Sequence, residues 1–181
     1  MPATHIALLR GVNVGGRRKV SMAALRTIVE ALGHQQVSTY VQSGNVVFTS
    51  EGDEPALASQ LEQAVLDHFG FEVSVFVRAE RDWAVVAVQH PFAADEDDHA
   101  KLHVLFLATQ PDRNAVDRLD PARFAPDRFV LNGHELYVHY PNGAGRSKLT
   151  LDAVERALDT AATGRNWRTV VKLLELARAI D

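Results

Sequence analysis

Residues 37–50, VSTYVQSGNVVFTS, restrict the fold more than any other stretch of the chain. They are rich in β-branched and aromatic residues and are split by Gly44-Asn45, a pair suited to a two-residue turn with glycine first, so they read as a β-hairpin. Both flanks of this hairpin are helical in period. Upstream, His5 to Leu9 forms an apolar strand. Ser21 stands at an N-cap position, and Met22, Leu25, Ile28, Val29 and Leu32 recur at helical spacing before Gly33. Downstream, Asp53 or Glu54 precedes Pro55, and Leu57, Leu61, Ala64, Val65 and Phe69 mark a second amphipathic helix closed by Gly70. FEVSVFVRA, residues 71–79, supplies one more strand.

The order is thus β-α-β-β-α-β, the ferredoxin-like split βαβ motif, in which one antiparallel sheet carries two helices on one face. A helix from about Arg81 to His90 then ends at Pro91, and the acidic segment 94–98 reads as a solvated linker. After it the pattern begins again. KLHVLFLA (101–108) is a buried strand and Asn114 to Leu119 a short helix. RFVLNGHELYVHY (128–140) is a hairpin about Asn132-Gly133, a type I′ signal. Helices near 151–158 and 166–179 follow, giving β-α-β-β-α-α. The expected class is therefore α+β: two packed ferredoxin-like (α-β plait) halves, antiparallel sheets with helices on one face. One half spans 1–93 with its connecting helix, and the other 99–181 with the C-terminal helix. No residue-level repeat accompanies the echo.

Of 181 residues, 46% are hydrophobic, enough to bury a substantial core. There is no cysteine, which excludes disulfides, thiolate zinc sites and cysteine nucleophiles and suits a reducing compartment. MPATHIALLRG carries a His and an Arg around a short apolar run, unlike a signal peptide or a membrane span. The expectation is a soluble, cytoplasmic protein with no membrane partner. Net charge is −4, which argues against a surface that is basic throughout. Distribution matters more than the sum. Arg10, Arg17, Arg18, Lys19 and Arg26 occupy a stretch without a carboxylate, and acidic residues collect in EGDE (51–54) and DEDD (95–98).

Four polar segments, three of them glycine-bearing, are candidates for chemistry. GVNVGGRRK has the Gly11 to Gly16 spacing of a phosphate loop, but Arg17-Arg18 replaces the Lys-Ser/Thr that would hold phosphate and magnesium. Two readings stay open there: a turn in which Gly15 and Gly16 permit positive φ, or an anion site of backbone N–H groups beside cations. QSGN (42–45) lies at a hairpin tip, where such residues ordinarily satisfy turn hydrogen bonds. YPNGAGRSKLT (140–150) places two glycines, two cations and two hydroxyls ahead of a helix. Arg146 is suited to bidentate anion contact and Lys148 to a point charge, against the alternative of a turn with an N-cap at Thr150. RNWRTVVKL opens the last helix, with Trp167 on its buried stripe and Arg165, Arg168 and Lys172 on another face. His99-x3-His103 beside Asp97 and Asp98 is the sole metal-like spacing, and it need not share a face of a strand, so no metal is expected.

In this order, LLRGVNVGG, YVQSGNVVF, YPNGAGRSKLT and RNWRTVVKL resemble the bacterial family catalogued as domain of unknown function 1697 (DUF1697). The resemblance is collinear from Ile6 to Leu176. It implies two ferredoxin-like halves and brings no activity, cofactor or catalytic residue. Gly164 departs from the pattern, which has a larger residue before RNW. The matched positions are polar residues and glycines at strand ends and loop tips, the kind that binding needs.

The leading expectation is a protein that binds a phosphate-bearing anion, a nucleotide or a nucleic-acid segment, without a cofactor. Its site would comprise Arg10, Asn13, Gly15, Gly16, Gln42, Ser43, Asn45, Asn142, Gly143, Gly145, Arg146, Ser147, Lys148, Arg165 and Asn166. Arg10, Arg146, Lys148 and Arg165 would neutralise charge, and Gln42, Ser43, Asn45 and Asn166 would read the ligand. Two alternatives stand beside it: an enzyme on a phosphoester or acyl substrate with Ser43 or Ser147 as nucleophile, and a protein interaction module.

Overall fold

The computed structural model describes residues 1–180. Two antiparallel four-stranded sheets are formed, each with helices, and their strand orders are the same. In the first sheet β1 (Ala3–Leu9) is central, flanked by β3 (Asn45–Ser50) and β4 (Val75–Ala79), with β2 (Gln35–Tyr40) outside β3. This is the strand order of a ferredoxin-like motif. Two helices, α1 (Met22–Ala31) and α2 (Glu54–Phe69), bury Leu25, Val29, Leu57, Leu61 and Val65 against Ala7, Leu9, Val46, Phe48, Val75 and Val77. The strand residues in that cluster alternate along each strand, so they line one face.

Helix ends follow the residues that favour them. The Ser21 hydroxyl accepts from Ala24 N–H at 3.0 Å, the Asp53 carboxylate accepts from Ala56 N–H at 2.9 Å, and Gly70 closes α2 with φ +77°.

The hairpin turn differs from expectation. Asn45 pairs with Tyr40 and Leu8 as the first residue of β3, so residues 41–44 form the connection rather than Gly44-Asn45. The reason is packing: Leu9 N–H donates to Gly44 O at 2.8 Å, which draws Gly44 (φ +78°) against Leu9 and Val12. The expected strand 71–79 is also shorter: β4 begins at Val75, and before it Phe71 stacks toward Phe69 at 6.0 Å. The next helix, α3 (Glu80–Val86), stops short of His90, whose ring instead bonds to the backbone of His103 at 3.0 Å.

The second sheet has the order β6 (Arg128–Asn132), β7 (Glu135–His139), β5 (Leu102–Leu107), β8 (Ala162–Asn166). Strand β8 was not expected. It completes the second ferredoxin-like set where patterning gave two consecutive helices. ATGRN lacks the alternation that marks a strand, and it pairs because Gly164 lies opposite Leu105, whose Cδ2 would stand 2.8 Å from an added Cβ.

A 3-10 turn at Ala115–Arg118 and the short α4 (Pro121–Phe124) take the place of a first helix, and α5 (Leu151–Leu158) packs Val154 and Leu158 on Leu105, Leu107, Leu136 and Val138. The hairpin turn is Gly133-His134, with positive φ at Gly133 alone, so the type I′ geometry about Asn132-Gly133 does not form; Asn132 is a strand residue paired with Glu135.

By contact the chain divides into two compact units, Met1–Val85 with Lys172–Asp181, and Val86–Val171. The last helix, α6 (Trp167–Arg178), was expected to lie wholly with the second half, yet from Lys172 it belongs with the first. There Arg178 Nε meets Glu80 at 3.2 Å. The acidic linker is not simply solvated. Glu96 receives the His139 Nε2 bond at 3.0 Å, Asp95 pairs with Arg128 at 3.2 Å, and Asp98 pairs with Arg168 at 2.9 Å. Among the described residues no helix is long and apolar enough to cross a membrane.

Candidate anion-binding surfaces

Gly15 and Gly16 have φ of +58° and +73°, a pair of left-handed residues that closes a tight two-residue turn. Asn13 N–H donates to Arg18 O at 3.1 Å and Arg17 N–H to Val14 O at 3.1 Å, so residues 13–18 form a miniature hairpin. The glycines therefore serve turn geometry. What the turn presents is more telling. Arg17, Arg18 and Lys19 are all exposed, and so is Val14, at 66%. None of the three cations has an ion-pair partner among the described residues.

Asn13 holds the base of this hairpin. Its Nδ2 donates to Val20 O (2.8 Å) and Gln42 O (2.6 Å), and its Oδ1 accepts from Val20 N–H (2.9 Å). The first two motifs thus meet through one side chain. Because its polar atoms are so committed, Asn13 is a clamp rather than a ligand reader. Asn13→Ala removes three hydrogen bonds and is expected to destabilise the first unit by about 2–3 kcal/mol, read as a lower urea midpoint. A loss below about 0.5 kcal/mol would show that the clamp is dispensable.

Asn45 is likewise internal. It is fully buried and donates to Tyr40 O and Ser43 Oγ, each at 2.9 Å, which fixes the loop and engages Ser43. Gln42 uses its backbone carbonyl for Asn13, and its exposed side chain stays outward.

A groove of about 540 Å³ lies beside the hairpin, with Arg10 and Arg18 on its wall together with Glu62, Leu66, Glu72 and Val73. Arg18 belongs to both features. The acidic members had no counterpart in the sequence reading, although Ser59, Glu62, Gln63 and Leu66 repeat at i, i+3, i+4 and i+7 along the outward side of α2. That spacing was the signal available.

In the second unit, Gly143 (φ +85°) and the 3-10 turn Ala144–Arg146 carry the chain to α5. Asn142, Gly145, Arg146 and Lys148 are exposed. Ser147 Oγ donates to Asp127 and accepts from Leu149 N–H at 2.7 Å, the bonds of a turn residue, and among the described residues no histidine bonds to it.

Arg165 lies inside the unit, 8% exposed, bonded to Thr163 Oγ1 (3.0 Å) and Gly164 O (2.8 Å), and burial lowers its pKa to about 10. Such a guanidinium does not face solvent to neutralise a ligand, as sequence had suggested. Asn166 Oδ1 accepts from Thr169 N–H at 2.9 Å and caps α6. Trp167 is core, edge-on to His90 at 5.0 Å.

The family model for protein of unknown function DUF1697 matches residues 3–137. The chain belongs to the DUF1697 family. Its fold resembles that of a conserved bacterial protein, SP0830 from Streptococcus pneumoniae, with a TM-score of 0.78, 24% identity and coverage of 98% of this chain and 99% of that one. No curated protein matches. The DUF1697 match takes in the basic hairpin, the 41–44 loop and the groove, and ends before the 142–148 loop, Arg165 and Asn166.

Proposed function

We propose that this DUF1697 protein is a cytoplasmic binding protein for a phosphate-bearing ligand, a nucleotide or a nucleic-acid segment, engaged by the basic hairpin of the first unit. One observation carries the reading: Arg17 and Arg18 on a clamped, exposed hairpin turn, and Lys19 directly after it, are all exposed in a protein whose net charge is −4. Charge concentrated against the overall balance is the footprint of a local polyanion site. Cations on an exposed turn, open to solvent, favour an extended strand over a nucleotide enclosed in a cavity. Arg10 lines the adjoining groove. In the second unit, Arg146 and Lys148, exposed on a glycine-bearing turn ahead of the Thr150-capped α5, supply a separate basic feature of the same kind.

Salt titration of affinity for a short single-stranded oligonucleotide tests this. Three phosphate contacts give a log–log slope of about −2, a loss of roughly 15-fold between 50 and 200 mM salt. Replacing Arg17, Arg18 and Lys19 together by alanine should flatten that slope. Absence of salt-dependent binding in the unaltered protein, or a slope unchanged by the triple replacement, would overturn the reading.

A further inference from the structure

The groove beside the hairpin joins two chemistries that a simple phosphate site would not combine. Two cations, Arg10 and Arg18, and two carboxylates, Glu62 and Glu72, line the same groove. A carboxylate repels phosphate and accepts from donors, so Glu62 and Glu72 suit a ligand group that carries N–H donors rather than phosphate. Its volume of about 540 Å³ falls within the range of small-molecule sites. Leu66 and Val73 add an apolar surface against which a flat ring can lie.

Glu62 is anchored, since its Oε1 accepts from Val75 N–H at 2.8 Å. Glu72 is exposed and makes no hydrogen bond or ion pair among the described residues.

We propose that this groove receives one base of the bound nucleic acid and that the Glu72 carboxylate selects guanine. The proposal rests on the polyanion reading of the hairpin, because Arg18, shared by both features, would bring the phosphates to the groove's mouth. The chemistry of selection follows from donor patterns. Guanine presents N1–H and the N2 amino group side by side, which match the two oxygens of a carboxylate. Adenine and cytosine offer one amino group beside an acceptor. Thymine offers one N–H between two carbonyls, which a carboxylate repels.

The test compares two labelled six-nucleotide DNA strands by fluorescence anisotropy at 50 mM salt, one all thymine and one with a single central guanine. The guanine strand is expected to bind about tenfold tighter, the scale of one bidentate base contact. Glu72→Ala, at an exposed position, should reduce that preference below twofold and leave thymine-strand affinity equal or higher. Two outcomes overturn the proposal while the polyanion reading stands: equal, salt-dependent binding of both strands, or a guanine preference that survives Glu72→Ala. Failure of both strands to bind at any salt concentration removes the polyanion reading along with it.

Discussion

Gly44→Ala is expected to destabilise the protein by about 3–4 kcal/mol. A Cβ there would stand 2.7 Å from Val12 Cγ2 and 2.8 Å from Leu9 Cβ, and the second of these is fixed to the backbone of the central strand. Overpacking of this kind costs about 1–3 kcal/mol, and an L-residue at φ +78° adds roughly 1–2 kcal/mol. The loss should appear as a lower urea midpoint at unchanged m-value. Gly15→Ala is the control, since that position also has positive φ but nothing within 4 Å of the added atom. It should lose only the backbone part, about 1 kcal/mol. Equal losses at the two positions would mean that the contact with Leu9 and Val12 relaxes freely.

Acidification is expected to weaken the fold through its buried histidines. Burial lowers the pKa of His103 from 6.5 to about 4, and it lowers those of His5, His34 and His90 in the same direction. His90 shows why the neutral form is preferred: Nε2–H donates to His103 O, and Nδ1 accepts from Phe92 N–H, an acceptor that protonation would remove.

For groups whose folded pKa is depressed, stability is full above the unfolded value near 6.5 and declines as pH falls toward the folded value. Between pH 6.5 and 4 His103 alone accounts for about 3 kcal/mol. Its ring lies edge-on to Tyr140 at 5.1 Å, so His103→Phe keeps the packing and should flatten the pH dependence of the urea midpoint over this window. A variant that remains as acid-sensitive as the parent would assign the loss to other groups.

Much of the architecture was legible in the chain because caps and hydrophobic period agreed at the same places. Ser21, Asp53 and Gly70 stand where spacing put them, and α5 begins after Thr150 as its cap residue indicates. Strand β8 was not legible. Ala162, Thr163, Gly164, Arg165 and Asn166 carry no alternation, and the strand is selected by what Gly164 can approach across the sheet.

The polar motifs illustrate the same limit. Asn13, Asn45, Ser147 and Asn166 were counted among the candidate site residues because polar residues at loop tips suit binding, but their partners are backbone groups and neighbouring side chains. Only coordinates distinguish the two uses. The cations of the hairpin, by contrast, were visible as a run without carboxylates, and their exposure agrees with it. The groove escaped notice because its residues come from four separated stretches: Arg10, Arg18, the outward side of α2 and residues 72–74.

The division of α6 bears on how the protein is made. The first unit is discontinuous in sequence, since it takes in the chain from Lys172, where Arg178 meets Glu80 and Gln36 Nε2 donates to Ile180 O at 3.0 Å. During synthesis those last residues emerge only after the entire second unit has been translated. The strands of the first unit are therefore all translated before the second unit begins, and the helical turns from Lys172 that belong to the first unit follow only after the second has been made.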